Sequence, residues 1–302
     1  MIYDIVLRIG YEYQAPAAGS RHVLYLTPAD GAPQRVIASL LEITPEPLER
    51  AARTDFYGNT VVEVAFQAPH ETIAFKVRAR VDRLYHFVGK DCSARLDHLA
   101  HELASIRSLS GDSPHHFLAD SPRVRGRPEF EAYARAQIAP GVETTRQIVE
   151  AIGRALDRDI KFDPGSTNVD TPPEEAFARR HGVCQDFSHI MIACLRSIGI
   201  PAAYVSGFLR TRPPQGEERL EGADAMHAWV RAWCGDEAGW FEYDPTNGLV
   251  VKDQHIVVAY GRDYSDVAPV RGVVRTSGGQ SSTQAVDVIP VPGQKEVDGL
   301  DV

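Results

Sequence analysis

The stretch that decides the fold reads Gly182-Val183-Cys184-Gln185-Asp186-Phe187-Ser188-His189-Ile190-Met191-Ile192-Ala193-Cys194-Leu195-Arg196-Ser197-Ile198-Gly199-Ile200-Pro201. Phe187, Ile190, Met191, Cys194, Leu195 and Ile198 recur at the three- and four-residue steps of one helical face. Gly199 stands where a left-handed residue ends a helix, and Pro201 cannot continue one. The pattern predicts a buried helix from Cys184 to Ile198. Cys194 lies on the apolar stripe and reads as a small buried hydrophobe. Cys184 lies off the stripe, in the first turn.

A cysteine at a helix start has particular chemistry open to it. The unpaired N–H groups there, and the helix dipole, stabilise an anion. A free thiol titrates near ~8.5, and a helix N-terminus together with an imidazolium can bring it below neutrality. Gly182 lets the chain turn sharply before Cys184 and leaves room for a substrate. The Cys184 N–H would point where an oxyanion forms. Gln185, next along, is a candidate for positioning a substrate carbonyl, and Asp186 suits the helix dipole.

Toward the C-terminus, Ala202–Leu209, His227–Cys234 and Trp240–Tyr243 read as strands. Between the first two lies the polar stretch Arg212–Asp224, with Pro213-Pro214, a candidate mobile flap. Residues 227 to 244 read as a hairpin turning at Gly235–Gly239. His227 opens it and Asp244 closes it, so the two are expected as cross-strand neighbours. An aspartate on one ring nitrogen fixes the tautomer and supports the imidazolium, and the other nitrogen then faces the thiol. Cys184, His227 and Asp244 thus form a coherent nucleophile, base and orienter. Trp229 and Trp233 share one strand face, as core or as the wall of an acyl site, and Trp233 is assigned to the core.

Upstream, residues 1–85 read as β. Tyr3, Ile5, Leu7, Ile9, Tyr11 and Tyr13 alternate with mostly polar neighbours, and Ile73, Phe75, Val77, Ala79 and Val81 do the same. Arg21–Thr27, Gln34–Ile43 and the run around Val62–Phe66 add strands, which suggests a small antiparallel sandwich. Glu129–Ile138 and Glu143–Arg158 have helical spacing. Thr171-Pro172-Pro173-Glu174 has the form of a capping box before a short helix. Gly272–Arg275 and Ala285–Val291 read as terminal strands, and Gly293–Val302 as a frayed tail.

Composition narrows the classes. The 302 residues carry 32 Lys+Arg against 41 Asp+Glu, a net charge of -9, which argues against a general nucleic-acid or anionic-membrane binder. Four cysteines without a CxxC pair exclude a disulfide framework and the usual zinc and redox motifs. The opening Met1-Ile2-Tyr3-Asp4-Ile5 lacks the pattern of a secretory signal, and no apolar run approaches the ~20 residues of a membrane span. The expectation is a cytoplasmic chain without metal or cofactor. His98-x-x-His101, His115-His116 and His255 read as ordinary polar residues rather than ligands. No P-loop or EF-hand loop is present.

Gly182-Val183-Cys184-Gln185-Asp186-Phe187, His227-Ala228-Trp229 and Asp244-Pro245-Thr246-Asn247, in this order, resemble the bacterial transglutaminase-like superfamily, often described as cysteine proteases. Gly199-Ile200-Pro201-Ala202, Val205-Ser206-Gly207 and Gly261-Arg262-Asp263-Tyr264 extend the resemblance, and the β-rich start resembles the N-terminal region that precedes this core in bacteria. The resemblance implies an α+β fold: a papain-like or transglutaminase-like core, with its nucleophile helix packed on an antiparallel sheet, after a small β-sandwich-like domain. The expected division is 1–85, a catalytic core at 86–270, and C-terminal strands with a tail at 271–302. It implies Cys184 as nucleophile, His227 as general base and acid, and Asp244 as orienter, with Gln185, Gly182 and Trp229 as substrate or oxyanion candidates. The expected reaction is acyl transfer from a peptide or protein amide through a thioester, most simply hydrolysis. The alternatives are a protein-glutamine transamidase, a non-catalytic binding module retaining the fold, and a small-molecule N-acyltransferase.

Overall fold

The computed structural model describes residues 1–84, 89–211 and 221–292. Residues 212–220 of the flap expected at 212–224, and the expected frayed tail at 293–302, lie outside the described residues.

The first unit is a pair of four-stranded sheets. One holds β1 (Ile2–Ala17), β3 (Gln34–Thr44), β6 (His70–Arg83) and β15 (Gln280–Pro290), in the order β15-β1-β6-β3. The other holds β2 (Ser20–Leu24), β4 (Glu49–Thr54), β5 (Thr60–Phe66) and β14 (Val270–Val273), in the order β14-β2-β5-β4. The period-two alternation of β1 and β6 has a direct consequence. Tyr3, Ile5, Leu7 and Ile9 face inward, as do Ile73, Phe75, Val77 and Val81, and all are buried. β4, Glu-Arg-Ala-Ala-Arg-Thr, is exposed throughout and shows no alternation, so periodicity carries no signal for it. The terminal strands do not form a separate C-terminal piece. β15 pairs antiparallel with β1 from Tyr3↔Pro290 to Tyr13↔Gln280, and β14 pairs with β2. Each covers an edge of the first unit.

The second unit begins with helices: α1 (Leu96–Ser105), α2 (Pro128–Ala136), α3 (Thr145–Asp159) and α4 (Pro173–Arg179). α3 starts with a capping box, in which the Thr144 hydroxyl accepts from the Gln147 N–H and the Gln147 side chain accepts from the Thr144 N–H. The box expected at Thr171–Glu174 does not form. Pro172 occupies the cap, the Thr171 hydroxyl accepts from Asn168 N–H instead, and Glu174 pairs with Arg127. Two short strands, β7 (Lys161–Phe162) and β8 (His181–Gly182), pair in parallel and lead into α5 (Cys184–Ser197).

The core sheet has five strands: β9 (Ala202–Leu209), β10 (Ala225–Trp233), β11 (Trp240–Asp244), β12 (Leu249–Val250) and β13 (His255–Gly261), in the order β12-β11-β10-β9-β13. All pairs are antiparallel. α5 packs on β9 and β10, with α2, α3 and α4 on its other sides. The helix is therefore buried from Gln185 to Leu195, not along one stripe alone. The polar residues this encloses are hydrogen-bonded: Ser188 donates to the Cys184 carbonyl, and His189 Nε2 accepts from Tyr264 N–H. Gly199, at φ 87°, closes the helix, and Ile200 N–H returns to the Leu195 carbonyl.

β13 is an edge strand of this sheet, and side-chain amides from the first unit cover it. Gln34 Oε1 accepts from Val257 N–H at 2.9 Å, while its Nε2 donates to the Val257 carbonyl at 2.8 Å. Asn59 does the same at Tyr260, accepting from N–H at 2.7 Å and donating to the carbonyl at 2.8 Å. Two amides thus stand in for a missing strand, tying the sandwich to the core. Gln34→Ala leaves the buried Val257 N–H unpaired, while the Val257 carbonyl keeps the Ala29 N–H at 3.0 Å. The substitution is expected to lower unfolding free energy by about 1–3 kcal/mol, read from urea midpoints.

Candidate active site

Three elements bring the expected trio together. Cys184 is the first residue of α5, His227 lies near the start of β10, and Asp244 ends β11. β10 and β11 pair from Trp233↔Trp240 to Val230↔Tyr243. His227 lies three residues past the last pair and Asp244 one, so they meet diagonally rather than directly opposite each other.

Asp244 is fully buried and His227 is 9% exposed. His227 Nε2 donates to Asp244 Oδ2 at 2.7 Å. That leaves Nδ1 for Cys184, which lies beside the imidazole. The thiol is half-buried and stands at the N-terminus of α5. Asp244 Oδ1 accepts from the backbone N–H groups of Thr246 and Asn247, at 2.9 and 3.3 Å. Asn247 Nδ2 donates to Oδ2 at 2.7 Å. The Asp244-Pro245-Thr246-Asn247 turn therefore wraps its own carboxylate in donors.

A further residue joins the group. His255, the first residue of β13, is 3% exposed, and its Nε2 donates to the same Asp244 Oδ2 at 3.1 Å. The expectation of an ordinary polar residue here is overturned. No local spacing announces it, because the contact depends on β13 crossing to the far edge of the sheet beside β9. The available signal was composition: a histidine opening an apolar strand, Ile256-Val257-Val258-Ala259.

These contacts set the charges. Burial works against a charged His227, but the hydrogen bonds and negative charges of Asp244 and Cys184 outweigh it and push its pKa up to about 10. Burial likewise opposes the Asp244 charge, and the two imidazole hydrogen bonds hold its carboxyl well below the usual range. Burial pushes His255 down, against the pull of Asp244, so it stays neutral. Burial also raises the Cys194 and Cys234 thiols far above neutrality, leaving them inert.

The remaining expected residues take other positions. The space above Gly182 is filled rather than open: a Cβ there would stand 2.8 Å from Asp186 Cβ and 2.9 Å from its Oδ2. The Asp186 carboxylate folds back to accept from Val183 N–H at 2.8 Å and the Thr167 hydroxyl at 2.6 Å. Gly182 therefore serves the helix start. Gln185 is 7% exposed, and its Nε2 donates to the Val169 carbonyl, which commits one of its donors to the loop before α4. Trp229 is fully buried behind the trio. Its indole N–H donates to Glu242, and its ring meets His255 edge-on at 5.1 Å, so it backs the imidazoles and does not line an acyl site.

Among the described residues, the ligand atoms of His227, Asp244 and His255 form the one grouping of three within 4.8 Å that resembles a cation site. Neighbouring ligands around a tetrahedral zinc stand about 3.3 Å apart. The 2.7 and 3.1 Å separations suit shared protons instead. His98 and His101 are exposed on α1.

The sequence matches the Bacterial transglutaminase-like N-terminal region over residues 3–82 and the Transglutaminase-like superfamily core over 132–245. An uncharacterized Mycobacterium tuberculosis protein is 36% identical over 298 residues, 96% of this chain and 93% of its own. The chain belongs to the transglutaminase-like superfamily. An uncharacterized Mycobacterium leprae protein is 32% identical over 288 residues, covering 94% of this chain and 97% of its own. A solved chain from Cytophaga hutchinsonii, provisionally described as a cysteine protease, superposes with a TM-score of 0.75 at 23% identity. It covers 98% of this chain and 92% of its own. That likeness shows the same fold over nearly the whole chain.

The charges predict how stability follows pH. A folded-state pKa of about 10 against an ordinary 6.5 stabilises the fold below pH 6.5, and the contribution is lost as pH rises through 10. The depressed Asp244 carboxyl contributes above its ordinary 3.8 and is lost in acid. Urea midpoints are therefore expected to fall between pH 6.5 and 10, and His227→Gln is expected to flatten most of that slope.

Proposed function

We propose that the chain is a cysteine-nucleophile acyl-transfer enzyme acting on amide bonds, with Cys184, His227 and Asp244 as nucleophile, acid–base and orienter. The observation that carries this reading is the buried hydrogen bond between Asp244 and His227 Nε2, with a half-buried thiol at a helix start beside the same imidazole. The superfamily membership and the likeness to a chain described as a cysteine protease support a peptide or protein amide as substrate.

The chemistry follows from the charges. The Cys184 thiolate attacks the carbonyl carbon, and the oxyanion meets the Cys184 N–H. The tetrahedral intermediate collapses as the His227 imidazolium gives its proton to the departing amine, leaving a thioester on Cys184. Neutral His227 then takes a proton from water as that water attacks the thioester. The acid product leaves, and the thiolate–imidazolium pair is restored. Asp244 keeps the ring oriented throughout. Among the described residues Cys184 remains partly open to solvent, which favours water over an amine as acceptor.

Glutamine-containing peptides offered with a labelled primary amine test this reading. Peptide cleavage or ammonia release without amine incorporation is expected, with Cys184→Ala slower by at least about 10³-fold. Incorporation of the amine would move the assignment to a transamidase. Equal rates in wild type and Cys184→Ala would overturn catalysis at this cysteine.

A further inference from the structure

Asp244 Oδ2 receives two imidazoles. His227 Nε2 reaches it at 2.7 Å and His255 Nε2 at 3.1 Å, and the rings lie 6.1 Å apart by centroid. A line of nucleophile, base and carboxylate needs only the first. The second is built in with care. His255 is buried, paired into β9 opposite Leu209, and braced edge-on by Trp229.

The hydrogen bonds also fix its form. His255 Nδ1 is buried without a partner. A neutral ring with its proton on Nε2 places a lone pair there, whereas a charged ring would bury an unpaired N–H. Asp244 and His227 face the ring from the hairpin, and Arg83 from β6 is the nearby cation. A second positive charge between His227 and Arg83 is disfavoured on geometry alone. His255 is thus a neutral donor to a carboxylate oxygen that His227 also uses.

We propose that His255 is a positioning residue that shares Asp244 Oδ2 with His227 and so limits how tightly the carboxylate holds the imidazolium. This rests on the acyl-transfer reading. His227 must release its proton to the leaving amine, and a carboxylate bound to fewer donors would retain that proton more strongly. His255 lends Oδ2 a competing neutral hydrogen bond, keeping His227 charged at rest yet able to act as an acid. The groups facing His227 are Cys184 from α5, Asp244, His255 and Asn247, so His255 is the neutral imidazole of the set.

The test is the pH profile of Cys184 alkylation by iodoacetamide, read by mass spectrometry in the full chain, for wild type, His255→Leu and His255→Gln. Glutamine places an amide N–H near the Nε2 position, while leucine removes the donor. His255→Leu is expected to move the alkaline limb up by at least about half a pH unit, a threefold change in proton affinity. Its kcat should fall about tenfold with KM within twofold, and His255→Gln should restore both. An unmoved limb in folded His255→Leu, or one shifted to lower pH, overturns the proposal. Should His255→Leu fail to fold, ¹⁵N long-range imidazole spectra of the wild type decide. Neutral His255 carrying its proton on Nε2 at neutral pH supports the proposal, and a charged ring or a proton on Nδ1 overturns it. A wild type whose Cys184 alkylates like an ordinary thiol would sink the acyl-transfer reading itself, which is a separate result.

Discussion

A carboxylate without solvent is the constraint around which this molecule is arranged. Asp244 is completely buried, and a charge in that position is tolerable only if it is surrounded by donors. Two backbone N–H groups, one side-chain amide and two imidazoles meet it. Each donor comes from a different demand on the chain. The turn after β11 must curl back, β10 must begin where His227 can reach, and β13 must start with His255 at that depth. The register of the sheet and the placement of the acid–base pair are thus one problem solved together.

The start of α5 is the second such point. Asp186 returns to cap the backbone at Val183 and takes the Thr167 hydroxyl, which fixes the helix entry and leaves Gly182 no room for a side chain. Burial raises the Asp186 pKa, although its hydrogen bonds oppose this. The helix terminus thus serves two groups, a capping carboxylate and a thiol, and the imidazolium of His227 supplies the charge that faces the sulfur. The same helix is enclosed on all sides, so its position is set by packing against β9, β10 and three helices rather than by its own propensity.

The N-terminal sandwich is bound into this arrangement and does not merely precede it. Gln34 and Asn59 satisfy the free edge of β13, the strand that carries His255. β14 and β15 return from the end of the chain to cover β2 and β1. The sandwich thereby restrains the edge of the sheet that holds the site.

Local chemistry in the sequence determined much of this. The three- and four-residue periodicity and the Gly199 stop defined α5, the glycine-flanked turn defined the β10–β11 hairpin, and alternation defined β1 and β6. Those are short-range effects of backbone geometry and one-sided burial, which any reader of the chain can apply. They placed His227 beside Asp244 and Cys184 at a helix start, while the packing of α5 on β9 and β10 brought the thiol to the pair. Tertiary structure alone decided the rest. The shift of the α4 cap to Pro172, the filling of the space above Gly182, the commitment of Gln185 to Val169 and the retreat of Trp229 behind the imidazoles each depend on a partner distant in sequence. His255 is the plainest case. Its hydrogen bond to Asp244 exists because β13 lies across the sheet from β11, and no periodicity encodes which residues two non-adjacent strands bring to one buried oxygen.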